Sequence, residues 1–288
     1  MKNLQRYIWV LAGVLAIIVI GIGVLLVSLF TGTGGAFSAG VNSNIRAIYR
    51  MGNAQGNRAD VFAKVGDSIT VAGQFLTPVG DGLYDLGPHT DLRRTIDHYS
   101  TVELRRGNSF QNQSLAAGNG WGTLTILDPD MAKADACNPG ESPLACEYRY
   151  SKPSVALIML GTNDMSYLSA DEFATNLQRI IDISVETGVI PVVSTIPWRE
   201  GFDAQVEMYN AAIRQIAERN NIPLWDYAAA MAPLPANGIS TDGIHPNAPP
   251  WDQYGGSAQF TEAGLQYGFT VRNLTALQML DAVRQTLP

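Results

Sequence analysis

Three short stretches of this chain carry side chains whose chemistry belongs together. Gly66-Asp67-Ser68 offers a hydroxyl. Gly161-Thr162-Asn163-Asp164 offers an amide and a carboxylate. Asp242-Gly243-Ile244-His245 places a carboxylate three residues before an imidazole. A serine hydroxyl is a weak nucleophile until a neighbouring base takes its proton. Imidazole suits that task, with an unperturbed pKa of about 6.5. An aspartate can hold the ring and stabilise its protonated form, and an asparagine N–H can stabilise a developing oxyanion. These are the parts of an acyl-transfer site. Each has a plainer reading alone: GDS as a turn or helix cap, Asn163 as a turn residue after a strand, His245 as incidental on an exposed loop. In company the chemical reading prevails. The remaining histidines, His89 and His98, lie in turn-like or polar stretches and receive no catalytic role; Asp164 is read as holding its loop rather than reacting.

These residues need a scaffold that brings them to one rim. The apolar run 154–160, SVALIML, has the continuous pattern of a strand buried on both faces. Further strands are expected at 61–65, 189–196 and 222–225. Ser169-Ala170-Asp171-Glu172 reads as a capping box opening a helix with Phe173, Leu177, Ile180 and Ile181 on its apolar face, and Gly188 is placed to end it. Helices are also expected over 204–219 and 271–285. Alternating strands and helices imply an α/β fold with a parallel sheet. Ligand sites in such folds gather at the carboxyl ends of the strands, and the three stretches sit there.

The runs FAKVGDSIT, GTND and DGIHPN, in this order, resemble blocks of the SGNH hydrolases, also called the GDSL esterase/lipase family. The resemblance spans residues 66–247. It implies a flavodoxin-like three-layer α/β/α sandwich and a serine ester hydrolase. It further implies Ser68 as nucleophile, His245 as general base and then acid, and Asp242 as the residue orienting the imidazole. The oxyanion hole it implies comprises the Ser68 N–H, Asn163 and a glycine. Gly118 is chosen for that glycine because it comes first after the Leu-Ala-Ala run, with Gly120 as the rival. No metal and no organic cofactor is implied. The long segments between motifs could flank the rim, and Trp121 and Trp251 could line a sugar or acyl pocket or be structural. The acidic run 128–135 lacks the regular spacing of a calcium loop.

The chain has 288 residues, 46% of them hydrophobic and 16% charged, enough to bury a large core. A net charge of −7 without a basic patch argues against nucleic-acid binding. Residues 7–30 form a charge-free apolar run, long enough to cross a bilayer core of ~30 Å. This is read as one N-terminal transmembrane helix, with a cleaved signal peptide as the alternative. Lys2 and Arg6 precede the run, which puts residues 1–6 in the cytoplasm and the rest outside. Residues 31–59 are expected to be a linker and 60–288 the folded domain. Cys137 and Cys146 bracket a Pro/Gly-rich loop and are a disulfide candidate in an oxidising compartment. The expectation is a membrane-anchored extracytoplasmic serine esterase, acting on sugar O-acetyl or lipid acyl esters through an acyl-enzyme. The alternatives are acyl transfer to a cell-surface glycan and a non-catalytic carbohydrate-binding module on the same fold.

Overall fold

The structure, a computed structural model, describes residues 37–251 and 255–288. Four parallel strands form the sheet: β1 (Arg58–Gly66), β2 (Pro153–Met159), β3 (Ile190–Ser194) and β4 (Leu224–Trp225), side by side in that order. Val65 pairs with Ile158, Ile158 with Val193, and Val193 with Leu224. Every residue of β2 and β3 is buried. That explains their largely apolar runs, with helices on both faces; the two serines, Ser154 and Ser194, are buried with their hydroxyls bonded to the Ala59 and Thr195 carbonyls. A single parallel bridge, Gly66 to Ala117, adds the 115–117 segment on the outer side of β1.

Helices cover both faces. On one lie α1 (Ala39–Ala54), α4 (Arg93–Tyr99) and α10 (Gly268–Thr286). On the other lie α5 (Thr123–Leu127), α6 (Pro143–Ser151), α7 (Ala170–Glu186) and α8 (Asp203–Asn220). Three short helices, α2 (Ser68–Val71), α3 (Thr77–Gly80) and α9 (Tyr227–Met231), sit in connections. The predicted capping box at Ser169 and Glu172 is present, and Phe173, Leu177, Ile180 and Ile181 of α7 are buried. Gly188 follows that helix with φ +69°, and its Cα region touches Gly52 of α1.

That contact belongs to a correction. Residues 37–59 are not a linker. Ser38 caps α1 by accepting a hydrogen bond from the Val41 N–H, and Ile45 and Ile48 are buried against the sheet. Arg46 donates to the Thr286 carbonyl, and Asn44 to the carbonyls of Asn220 and Asn221. The Gly, Ser and Thr content of 31–44 reads as a flexible tether. It concealed the helical spacing Val41, Ile45, Ile48, whose stability comes from tertiary burial rather than propensity. The expected anchor (7–30) and the first linker residues (31–36) lie outside the described residues. Among the described residues no helix is long and apolar enough to cross a membrane. Because Ile45 is fully buried, Ile45→Ala is expected to cost about 2–5 kcal/mol in urea unfolding; a cost near zero would return this segment to a tether.

Candidate active site

The serine stands where β1 ends. Gly66 is required there, since a Cβ would lie 2.2 Å from Thr70 Oγ1 and 2.7 Å from the Met159 carbonyl. Asp67 caps α2, its Oδ1 accepting from the Ile69 N–H at 2.9 Å. Ser68 is the first residue of α2, so its own N–H has no partner within the helix. Beneath this turn lies Arg272 of α10, buried, with its guanidinium 3.7 Å from the Phe75 ring centre. It donates to the Ile69 carbonyl and, at 3.1 Å, to Thr70 Oγ1. Burial pushes the Asp67 pKa up to about 6 against the pull of Arg272, and burial lowers that of Arg272 to about 10. Reading the motifs missed Arg272. A signal existed: it is the sole charged residue between Glu262 and Asp281. A single charge in the 263–280 stretch, at the start of a helix that packs on the core, calls for specific buried partners.

The histidine loop is built by its own aspartate. Asp242 Oδ1 accepts from the Ser240 hydroxyl at 2.7 Å and from the N–H groups of Ile244 and His245, each at 2.9 Å. Oδ2 is left for His245 Nδ1, at 2.7 Å. Gly243 holds φ +72°, and a Cβ there would meet Glu200 at 2.5 Å. Ile239 bridges Pro246, and Asn247 ties the loop to the start of α10 by accepting from the Gly268 N–H at 2.7 Å. Burial tends to raise the pKa of Asp242. The hydrogen bonds from His245, Ile244 and Ser240 outweigh it and hold the carboxyl well below the usual carboxylate range. His245 Nε2 lies 2.8 Å from Ser68 Oγ. The structure therefore brings Ser68, His245 and Asp242 into one hydrogen-bonded chain. His89 and His98 lie outside it; His98 is bonded to the Ala59 carbonyl instead.

Of the expected oxyanion donors, one has its N–H engaged elsewhere. Asn163 follows β2, and its Nδ2 donates to the Trp121 carbonyl at 3.0 Å, leaving the second N–H of that nitrogen uncommitted. Gly118, however, spends its N–H on the Gly66 carbonyl at 3.2 Å, as part of the bridge beside β1. It is a glycine for another reason: a Cβ would sit 2.4 Å from the Trp121 indole, which packs over it. The next amide, Asn119, makes no hydrogen bond among the described residues and borders the cavity that holds Ser68. Gly120, the rival, is exposed with φ +74°. The pairing of Ala117 with Gly66, which takes up the Gly118 N–H, is invisible in sequence spacing.

Buried carboxylates hold this loop from behind. Asp164 Oδ1 accepts from the Thr123 N–H at 2.7 Å and its hydroxyl at 2.5 Å. Glu147 accepts from the Leu115 N–H at 2.7 Å. Burial raises the pKa of both. Cys146, the neighbour of Glu147 on α6, is bonded to Cys137 with a Cα–Cα distance of 5.3 Å. Among the described residues no cluster of three or more His, Cys, Asp or Glu side chains is arranged to hold a metal. Ser68 and His245 open into a cavity of about 660 Å³, lined also by Gln74, Asn119, Ser240, Thr241 and Asn247. Trp121 and Trp251 do not line it; Trp251 packs edge-on against Tyr267.

Residues 65–249 match the family model of the GDSL-like Lipase/Acylhydrolase family. The chain belongs to this family. It is accordingly an ester hydrolase of GDSL type, acting on carboxylic esters. No match was found among the curated proteins. A carbohydrate esterase family 3 from Talaromyces cellulolyticus is similar in structure, with 19% identity, a TM-score of 0.51, and 76% of this chain and 97% of that one covered. A psychrotrophic esterase from Pseudoalteromonas sp. follows with 16% identity, a TM-score of 0.48, and 78% and 97% covered. An acetylxylan esterase from Geobacillus stearothermophilus has 17% identity, a TM-score of 0.48, and 76% and 93% covered. At 19% identity the first of these speaks for a shared fold.

Behind the site, burial lowers the pKa of Lys64 on β1 to about 7, with Glu147 opposing and Arg272 adding. Between about pH 7 and the lysine's ordinary value of 10.5, the unfolded chain binds a proton that the folded chain does not. Stability should therefore rise with pH through that window, with a slope approaching ~1.4 kcal/mol per pH unit. Urea unfolding of the native protein and Lys64→Met at pH 7, 8 and 9 tests this. The rise should shrink in the variant, and equal slopes would contradict the assignment.

Proposed function

We propose that this GDSL-family protein is a serine esterase that works through an acyl-enzyme with Ser68 as nucleophile. The observation supporting this is the continuous chain Ser68 Oγ–His245 Nε2–Nδ1–Asp242 Oδ2, at 2.8 and 2.7 Å. His245 takes the Ser68 proton as the hydroxyl attacks the ester carbonyl, then gives it to the departing alkoxide. Asp242 stays ionised and stabilises the imidazolium between those steps. The oxyanion is met by the Ser68 N–H, the Asn163 side chain and the Asn119 N–H, in place of Gly118. The reading includes a flavodoxin-like sandwich, in line with the 115–117 segment lying beside β1 outside the β1–β4 order.

The alcohol part of the substrate we read as sugar-like. His245 must stand on the leaving-group side, and the cavity containing it is bordered by Gln74, Ser240, Thr241 and Asn247. The Gln74 amide and Thr241 hydroxyl can meet sugar hydroxyls, while Ile239, Pro246, Ala248 and Phe269 in the same lining offer apolar surface for a ring face. Anchoring through residues 7–30, with the folded part outside the cell, completes the reading; its supports are the charge-free run and the preceding Lys2 and Arg6.

Hydrolysis of p-nitrophenyl acetate should be abolished by Ser68→Ala with the fold retained. Asn163→Ala should lower kcat by about 10²–10³. Full turnover by Ser68→Ala would remove this serine from the mechanism. Expressed in a bacterial host, the full chain should stay with membranes after carbonate washing and be released by detergent. Recovery in the soluble fraction would contradict the anchor.

A further inference from the structure

A second cavity, of about 490 Å³, lies against the first and shares Ala72 and Asn119 with it. Gly118 and Thr70 line it, but no residue of the histidine loop does. It thus lies on the flank of the reaction centre away from His245. An ester held with its carbonyl oxygen at the oxyanion donors sends its alcohol toward His245, because that ring protonates the departing oxygen. Its acyl part then points to the opposite flank. The second cavity is where an acyl group longer than acetyl would go.

The charge of this cavity is out of keeping with the rest of the chain. The protein has a net charge of −7 and only four lysines, Lys2, Lys64, Lys133 and Lys152. Two of the four, Lys64 and Lys133, line this one cavity. Lys64 is 6% exposed, and its Nζ donates to the Phe110 carbonyl at 2.8 Å. An ammonium carries three donors, so one acceptor leaves two unused among the described residues. Lys133 is held at the rim by a turn whose Ala136 and Cys137 N–H groups donate to its carbonyl, and Cys137 is bonded to Cys146 of α6. The one carboxylate in the lining, Asp81, is occupied by the Gln111 amide at 2.6 Å. From behind, Glu147 and Arg272 act on Lys64 with opposite signs.

We propose that this cavity is an acyl subsite for an anionic group, and that the substrate is a half-ester of a dicarboxylic acid whose free carboxylate is bound by Lys64 and Lys133. This rests on the Ser68-centred reading above for which flank takes the acyl part. Ammonium groups only donate, so they match a carboxylate, and charge-assisted bonds of this kind are the stronger class. A short, polar acyl part bearing one negative charge satisfies both lysines at once, whereas an alkyl acyl chain leaves a buried ammonium facing hydrocarbon.

The test measures binding, so that it is independent of turnover. Calorimetric titration of Ser68→Ala, run about one pH unit below 7 so that Lys64 keeps its proton, with monoethyl succinate and with ethyl butyrate compares two acyl chains of equal length, one with a terminal carboxylate. Monoethyl succinate should bind about tenfold or more tightly. Adding Lys133→Met should remove most of that preference, and Lys64→Met should do the same. Lys133 is exposed, so its variant decides the matter if the buried Lys64→Met fails to fold. Equal affinity for the two esters, no binding of either, or a preference untouched by Lys133→Met overturns the proposal. Failure of the hydrolase reading would show separately, as serine-independent turnover of p-nitrophenyl acetate.

Discussion

Ser68 and His245 are 177 residues apart in the chain, and their side chains must meet within 2.8 Å. A hydrogen bond tolerates only a few tenths of an ångström before it weakens. Neither residue can therefore ride on a loose loop. Ser68 is fixed by the end of β1, by the Asp67 cap and by Arg272 gripping the turn from below. His245 is fixed by Asp242, which shapes the loop backbone with one oxygen and aims the ring with the other. α10 joins the two supports. Arg272 reaches the serine turn from it, and its first residue, Gly268, donates to Asn247 of the histidine loop. The C-terminal helix thus sets the distance between Ser68 and His245.

A cost accompanies this arrangement. Asp67, Arg272, Lys64, Glu147 and Asp164 are all buried behind the rim, where a charge is unfavourable without partners. The altered pKa values of these groups express that cost. What is gained is a rigid backbone under the oxyanion loop: Glu147 holds Leu115 and Asp164 holds Thr123. Between these anchors lie Gly118 and Asn119. The Cys137–Cys146 bond secures the same region from outside, since Cys146 adjoins Glu147 on α6. Structural polar groups and the second cavity are thus built from one set of elements.

Much was legible in the sequence because chemistry and local structure coincide there. GDS, GTND and DGIH each lie at a strand end or in a tight turn, and their residue types allow few other uses in combination. Strands β2 and β3 are visible as largely apolar runs because both their faces are buried, and α7 announces itself through Ser169 and Glu172. All of these depend on neighbours close in sequence. The helix α1 was not legible, because its apolar positions are sparse and gain their meaning only against Gly188 and the sheet. That the Gly118 N–H is taken up by the Gly66 carbonyl was not legible for a related reason. Whether an N–H is free depends on what lies across from it, and Gly66 is 52 residues from Gly118 in the chain.

By itself, the sequence determined the reactive set, the parallel α/β layering and the internal geometry of the Asp242–His245 turn, since each is governed by residue type and short-range spacing. Only the tertiary structure decided that the Gly118 N–H is spent on Gly66, that Arg272 supports the Ser68 turn, that residues 39–54 belong to the core, and that half the lysines line one cavity. Those are properties of surfaces brought together from distant parts of the chain. Hydrogen bonding and burial there are settled by packing, not by the order of residues.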